Sequence, residues 1–128
     1  MLVPDDLKYT REHEWVRVEG DNLAVIGITD YAQSELSDVV YVELPPVGKQ
    51  VNKGEEIASV EAVKTVASVY TPVSGEIIEV NEKLKDEPSL VNKDPYGEGW
   101  ICKIKMSNPE ELKECLSAEE YKKLIAEE

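Results

Sequence analysis

A lysine at the tip of a short β-hairpin is the feature that most constrains what this chain can form. Two runs rich in β-branched and aromatic residues, Ile57–Val60 and Val66–Tyr70, have the composition of strands. The segment between them, which includes Glu61-Ala62-Val63-Lys64, is too short to be a helix, so the chain must reverse direction there. This predicts that Lys64 is held away from the body of the protein. Such an amine can bear a covalently attached group, although most surface lysines serve only solubility.

The remainder of the chain is predicted to contain many short strands and few helices. Alternating or continuous apolar runs predict strands at Glu14–Glu19, Leu23–Ile28, Val39–Leu44, Glu76–Val80 and Trp100–Met106. The run Val39–Leu44 is nearly continuous, so we expect it to be buried on both faces. Thr29 or Asp30 can cap a short helix that ends at Leu36. The polar segment 81–92 is expected to be a short helical turn and a loop.

Two helix starts lie near the C-terminus. Ser107-Asn108-Pro109-Glu110-Glu111 combines a capping side chain, a proline in the first turn and early acids, and Ser117-Ala118-Glu119-Glu120 is a capping box. Apolar residues at helical spacing are expected to seal one end of the sheet core: Leu112, Cys115, Leu116, Tyr121, Leu124 and Ile125. We therefore expect one domain over residues 1–128, with a core at about 7–106 and C-terminal helices at about 108–126.

Charge and residue usage exclude several classes of function. The chain has 14 basic and 27 acidic residues, a formal net charge of −13, which should repel nucleic acid and anionic membranes. His13 is the only histidine, and no cysteine or serine lies in a nucleophile motif, so we predict no catalytic residue and no metal site. The two cysteines lack metal-ligand spacing, and the N-terminus lacks the pattern of a secretory or transit signal. We therefore expect a cytoplasmic protein that is not an enzyme.

Five blocks of the sequence, in order, resemble the H proteins of the glycine cleavage system. Glu61-Ala62-Val63-Lys64 resembles the glutamate-x-valine-lysine attachment site of lipoyl carriers. The other blocks are Tyr9–Val16, Gly27–Gln33, Asp38–Pro45 and Val91–Trp100, within a resemblance that runs from about Leu7 to Ile125. It implies a mainly β fold, the flattened two-sheet sandwich (barrel-sandwich hybrid) of lipoyl and biotinyl carriers, with short helices that include a C-terminal helical segment. Biotin carriers place methionine on both sides of the lysine, so Val63 and Thr65 favour lipoate.

The same resemblance implies a carrier cycle. Lipoate would be joined to Lys64 by an amide bond, through a lipoate ligase or a lipoyl or octanoyl transferase. The arm would accept the aminomethyl group of glycine from a pyridoxal-phosphate glycine decarboxylase and present it to a tetrahydrofolate-dependent aminomethyltransferase. Dihydrolipoyl dehydrogenase would then reoxidise the arm. We expect a monomer with no nucleic-acid partner and no membrane partner.

Residues near the attachment lysine and in the first block are candidates for contact with the cofactor. They are Glu61, Val63, Glu14, His13 and Ser68. Glu61 is either recognised by the enzyme that modifies Lys64 or paired with a nearby base. The resemblance implies that Glu14 holds the amine of the loaded arm, since a carboxylate accepts hydrogen bonds from an ammonium; the alternative is an exposed acid on a strand edge. His13 either lines the groove that receives the arm or is a loop histidine bonded to the backbone. Ser68 stands where the family commonly has an acidic residue.

Two other functions remain open at this point. A lipoyl carrier of the same kind could serve another oxidoreductase or relay lipoate to other proteins, because Ala62, Thr65 and Ser68 differ from the residues usual in the family. The second alternative is an unmodified interaction domain that has kept the fold. Glycine-dependent loading and the mass of the native protein distinguish these functions from the carrier cycle.

Overall fold

Two antiparallel β-sheets with short helices around them make up the computed structural model, which describes residues 1–128. Its nine strands are β1 (Lys8–Tyr9), β2 (Glu14–Glu19), β3 (Leu23–Ile28), β4 (Val39–Glu43), β5 (Gln50–Val51), β6 (Glu56–Ala62), β7 (Val66–Tyr70), β8 (Gly75–Val80) and β9 (Cys102–Met106). The first sheet has the order β1-β2-β3-β9-β8-β5 and the second has the order β4-β6-β7. The predicted mainly β, two-sheet architecture is confirmed.

The helices are short and lie between or after the strands. They are α1 (Asp30–Leu36), α2 (Lys83–Asp86), α3 (Leu90–Lys93), a 3₁₀ helix (Pro109–Glu114) and α4 (Ala118–Ala126). Thr29 caps α1, and Ser117 caps α4 through the predicted capping box, in which the Glu120 side chain bonds back to the Ser117 N–H. None of these helices has the length and apolar character needed to cross a membrane.

Buried apolar side chains form two clusters, one on each face of the six-stranded sheet. The larger contains 19 buried residues and includes Ile26, Val60 and Ile104, so it lies between the two sheets. The smaller packs β1 to β3 against α4, and there the Tyr9 and Tyr121 rings stack with 4.7 Å between their centroids. Successive strand residues point to opposite faces, so one strand serves both clusters.

Several predicted elements differ from the structure. Strand β4 ends at Glu43, and the prediction that it is buried on both faces is wrong, because Val40 and Tyr41 are exposed on the outer face of the three-stranded sheet. The segment 81–92 forms parts of two short helices, and the helix start at Ser107 leads into the 3₁₀ helix rather than an α-helix. The C-terminal apolar residues do not seal one end of a single core. Leu112 and Cys115 pack on the larger cluster, whereas the smaller one contains Tyr121 and is contacted by Leu116, Leu124 and Ile125.

Candidate functional site

Lys64 lies at the tip of the predicted hairpin. Strands β6 and β7 pair in antiparallel register as far as Glu61, which lies opposite Val66. The turn is closed by a hydrogen bond in which the Ala62 N–H donates to the Thr65 carbonyl at 2.8 Å. The residues between Ala62 and β7 are all exposed, and Lys64 takes part in none of the ion pairs. The strands therefore fix the backbone of the turn, while the amine is accessible to another protein.

An open cleft of about 390 Å³ lies beside the lysine turn. Its walls are the turn itself and the C-terminal end of α1 with the loop that follows: Glu35, Leu36, Ser37, Asp38, Val63, Lys64 and Thr65. Two carboxylates, those of Glu35 and Asp38, therefore border the same cleft as the Lys64 amine. The electrostatic potential near the lysine is set mainly by acids, as the net charge of the chain would suggest.

Asn92 holds the wall of this cleft that faces the lysine turn. Its amide group donates to the Ser37 carbonyl at 2.6 Å and to Gln33 Oε1 at 3.0 Å, and its Oδ1 accepts from the Val39 N–H at 2.9 Å. Ser37 has a positive φ of 65°, which disfavours most side chains, so the connection from α1 to β4 needs such bonds to keep its shape. The sequence did not identify Asn92, because a polar residue in a predicted loop gives no signal of its partners.

Glu14 is buried between the two sheets. Only 2% of its surface is exposed, so the alternative of an exposed acid on a strand edge is wrong. The Thr10 hydroxyl donates to Oε1 at 2.5 Å, and the Tyr70 N–H donates to Oε2 at 3.0 Å. The bond from Tyr70 joins β2 of the first sheet to β7 of the second, whereas the bond from Thr10 comes from the loop between β1 and β2. Burial raises the pKa of Glu14 to about 7 from an ordinary value of 4.5, while the two hydrogen bonds act in the opposite direction.

Glu14 lies near the end of β7 that is farthest from the lysine turn. Tyr70, to which its carboxylate is bonded, ends the strand that leads away from the lysine turn. At about 3.3 Å per residue, the distance from Val66 to Tyr70 along β7 is about 13 Å. A carboxylate oxygen can accept more than one hydrogen bond, so Glu14 retains capacity for a further donor. A group that extends from Lys64 along β7 would therefore approach a carboxylate of high pKa.

His13 faces the C-terminal helix rather than the lysine turn. Its Nδ1 lies 2.8 Å from the Tyr121 hydroxyl, and its Nε2 lies 3.3 Å from a carboxylate oxygen of Glu128. The ring therefore bonds side chains, whereas the backbone of His13 bonds other backbone groups: its N–H donates to the Thr10 carbonyl and its carbonyl accepts from the Thr29 N–H. No group of three or more metal-ligating side chains is present in the structure. His13 and Glu14 are neighbours in sequence but extend toward different parts of the molecule.

The outer face of the three-stranded sheet carries the other candidates. Glu61 lies between Tyr41 of β4 and Val66 of β7 and forms no ion pair, so its pairing with a nearby base is not observed. Ser68 is half-buried opposite Ser59, farther along the same face. The structure therefore brings Lys64, Glu61 and Val63 together at the hairpin tip. It separates them from Glu14, which lies beyond the far end of β7.

Comparison with known proteins agrees with this geometry. The sequence model of the glycine cleavage H-protein family matches residues 7–128. A glycine cleavage system H protein of Carboxydothermus hydrogenoformans is 53% identical over 127 residues, which cover 99% of this chain and 97% of that protein. One of Coprothermobacter proteolyticus is 54% identical over 127 residues, 99% of this chain and 100% of that protein. This chain belongs to the glycine cleavage H-protein family.

A solved structure shows that the fold is also that of an H protein. The crystal structure of a glycine cleavage system H protein from Mycobacterium marinum superposes with a TM-score of 0.90 at 37% identity, over 97% of this chain and 99% of that one. The predicted family is thus confirmed. As a member of a family of lipoate carriers in the glycine cleavage system, the chain is a carrier protein and not an enzyme, and it works with partner proteins of that system.

Proposed function

We propose that this H-protein family member carries lipoate on Lys64 and moves the aminomethyl group of glycine between enzymes. The observation that supports this most directly is the exposed lysine at the hairpin tip, flanked by Glu61 and Val63. When attached, the lipoyl group would supply a disulfide that is reduced as one of its sulfurs takes up the aminomethyl group from the pyridoxal-phosphate decarboxylase; the tetrahydrofolate-dependent aminomethyltransferase would receive that group, and dihydrolipoyl dehydrogenase would reoxidise the remaining dithiol. The chain itself presents the lysine, shelters the bound group and releases it.

The lysine turn suits covalent attachment through an amide bond. The Lys64 amine is exposed on a backbone that two strands and the bond from Ala62 to Thr65 keep in one shape. A lysine amine is protonated at neutral pH and attacks an acyl donor only after it loses a proton. The modifying enzyme must supply the base, so the turn needs only accessibility and a recognisable form.

We infer that Glu14 holds the amine end of the loaded arm. Its burial excludes water, which would otherwise hydrolyse a labile aminomethyl group. An arriving ammonium favours the ionised form of a carboxylate, so binding of the amine would offset the cost of ionising this buried group. The approach requires local opening at Thr10 or at the end of β7, because the two bonds of Glu14 presently close the site. Ser68, on β7, is proposed only to border the path of the arm, and His13 is assigned no contact with the arm because its ring faces Tyr121 of α4.

The attachment site is tested by mass spectrometry of the protein purified from its native host. We expect one lipoyl group, mapped to Lys64, and no modification of a Lys64→Arg variant in a ligase assay. Lys113→Arg is the matched control, since Lys113 is also an exposed lysine but lies in the 3₁₀ helix. Modification of Lys64→Arg, or an unmodified Lys64 in a host that lipoylates its other carriers, would overturn the proposal.

The role of Glu14 is tested by the lifetime of the loaded arm. Wild type and Glu14→Gln are lipoylated, loaded with glycine by the decarboxylase, freed of that enzyme and sampled for hydrolysis. Glu14→Gln should shorten the lifetime of the loaded arm severalfold, because a neutral amide cannot compensate the positive charge of the ammonium. Glu43→Gln, at an exposed acid of β4 that forms no ion pair, should leave it unchanged. An unchanged lifetime in Glu14→Gln would remove Glu14 from the proposed role.

The remaining parts of the proposal concern location and assembly. We propose a cytoplasmic monomer that exchanges among its partner enzymes, supported by the acidic composition and by cysteines that occupy packed positions rather than a disulfide. Light scattering after size-exclusion chromatography tests the monomer, and a stable dimer at micromolar concentration would contradict it.

A further inference from the structure

An uncovered apolar area lies next to Lys64, where the outer face of the three-stranded sheet meets the lysine turn. It consists of Val40, Tyr41, Val63 and Val66, which are 51%, 51%, 71% and 58% exposed, and is called the hairpin patch below. Tyr41 and Val66 flank Glu61 directly, one on each neighbouring strand. A solvent-facing sheet surface is normally polar, so a cluster of large apolar side chains there indicates a surface that a partner covers.

Acidic groups surround this patch and are called the acidic rim below. Glu61 lies within the Tyr41–Val66 row, Glu43 is exposed on the same face, and Glu35 and Asp38 border the cleft on the other side of the turn. The basic side chain of Lys85 is close to Tyr41, but it is already paired with Glu82 at 2.8 Å. A partner that fits this surface presents an apolar centre and a basic rim.

We propose that the hairpin patch is the docking surface for the enzyme that acylates Lys64. This inference rests on the proposed lipoyl attachment and adds the surface that the modifying enzyme recognises. An enzyme that forms a bond at the Lys64 nitrogen must enclose that atom, so it necessarily covers the turn and the side chains beside it. Partners that act on the far end of an attached arm can work at a distance from these residues. The position of the patch, immediately beside the amine, therefore favours the acylating enzyme.

The chemical step defines what the docked partner must supply. The Lys64 ammonium loses one proton to a base of the partner, and the neutral amine attacks the carbonyl carbon of an activated lipoyl donor. A carbon–nitrogen bond forms, the bond from the carbonyl carbon to the leaving group breaks, and the leaving group departs with its electron pair. The second proton of the nitrogen passes to solvent or to the leaving group. No group of the hairpin patch takes part in these transfers, so its residues act through binding alone.

The test uses the full-length apo-protein, a purified lipoate ligase, lipoate and ATP, with initial rates measured against carrier concentration. Tyr41→Thr and Val66→Thr each place a strand-favouring residue in the strand while removing apolar contact area. We expect each to raise the KM for the carrier at least about fivefold with kcat within about twofold, as for apolar residues at the centre of an interface. Val18→Thr and Ile78→Thr are matched controls, since both residues are exposed on strands of the other sheet.

A second measurement separates the acylating enzyme from the other partners. Each variant is brought to full lipoylation with excess ligase and then loaded with glycine by the decarboxylase. Unchanged loading, together with a raised KM for the ligase, supports the inference. Unchanged ligase kinetics, or equal losses with both enzymes, would overturn it, provided that thermal unfolding shows the variants to be folded. If wild type is not acylated on Lys64, the proposed function itself fails, and this outcome is distinct because it appears without any substitution.

The acidic rim has its own test. If it attracts a basic partner, the KM of wild type should rise with ionic strength, and Glu61→Gln should weaken this salt dependence while leaving kcat unchanged. A salt dependence identical in Glu61→Gln and wild type would show that the rim does not contact the ligase.

Discussion

Replacement of Glu14 by glutamine should change how the stability of the protein depends on pH. Burial raises the pKa of Glu14 from 4.5 to about 7. At about 1.4 kcal/mol for each pH unit between the two values, ionisation of this group in the folded state costs roughly 3 kcal/mol. A group with a raised folded-state pKa stabilises the protein fully below its unfolded-state pKa, and that contribution is lost as pH rises through the folded-state value. Wild type should therefore lose stability as pH rises from about 4.5 to about 7.

Glutamine should remove this loss because it does not ionise. Its carbonyl can still accept from the Tyr70 N–H, and its amide can donate to the Thr10 hydroxyl, so both side-chain bonds of Glu14 have replacements. The sequence pI is about 4.5, so measurements should begin well above it, at about pH 5.5, where the protein is soluble. Between about pH 5.5 and 8.5 the free energy of unfolding of Glu14→Gln minus that of wild type should rise by roughly 2 kcal/mol.

Urea unfolding followed by circular dichroism at several pH values measures this difference directly. Glu43→Gln is the matched control, because it removes an exposed strand carboxylate and should shift stability almost equally at every pH. A difference between Glu14→Gln and wild type that stays constant with pH would refute the reasoning. It would mean that the Glu14 carboxylate is ionised in the folded state at little cost, through solvent access or a counter-charge.

Four further substitutions test the framework of the fold by the free energy of unfolding. Gly75→Ala should cost at least about 3 kcal/mol, because a Cβ there would overlap the Lys105 carbonyl oxygen. Gly48→Ala, at a positive φ in open space, should cost only about 1–2 kcal/mol, and equal losses would refute the steric argument. Asn92→Ala should cost about 1–3 kcal/mol, because it removes three hydrogen bonds from the wall of the lysine cleft. A loss within error of zero would show that water replaces them. Ser117→Ala should cost about 1 kcal/mol through its capping box and reduce the helical signal of α4, and an unchanged spectrum would contradict this.

Local sequence determined the parts of the fold that depend on nearest neighbours. The hairpin around Lys64 follows from β-branched runs on both sides of a segment too short for a helix. The capping box at Ser117 and the cap at Thr29 follow from side chains that bond the first turn of their own helices. Such features need no knowledge of distant residues, so a pattern of a few residues is enough to predict them.

The tertiary structure decided which faces are buried. The run from Val39 to Leu44 is apolar enough for a strand covered on both sides, but in the structure Val40 and Tyr41 are left about half exposed. Sequence pattern measures apolar character, whereas exposure depends on which element packs against each face. The hairpin patch could therefore be identified only from the pairing of the three strands in the structure.

The same distinction applies to the candidate site. The sequence located Lys64 and its flanking residues because attachment depends on a short, contiguous turn. The sequence left open whether Glu14 is exposed, because its burial depends on packing against Tyr70, which is 56 residues away and on the other sheet. The packing of the two sheets brought this carboxylate out of water and so raised its pKa, and the packing of α4 on the first sheet brought His13 to Tyr121, 108 residues away. The sequence determined where a group can be attached, and the packing of the two sheets determined where the buried charge that could hold it lies.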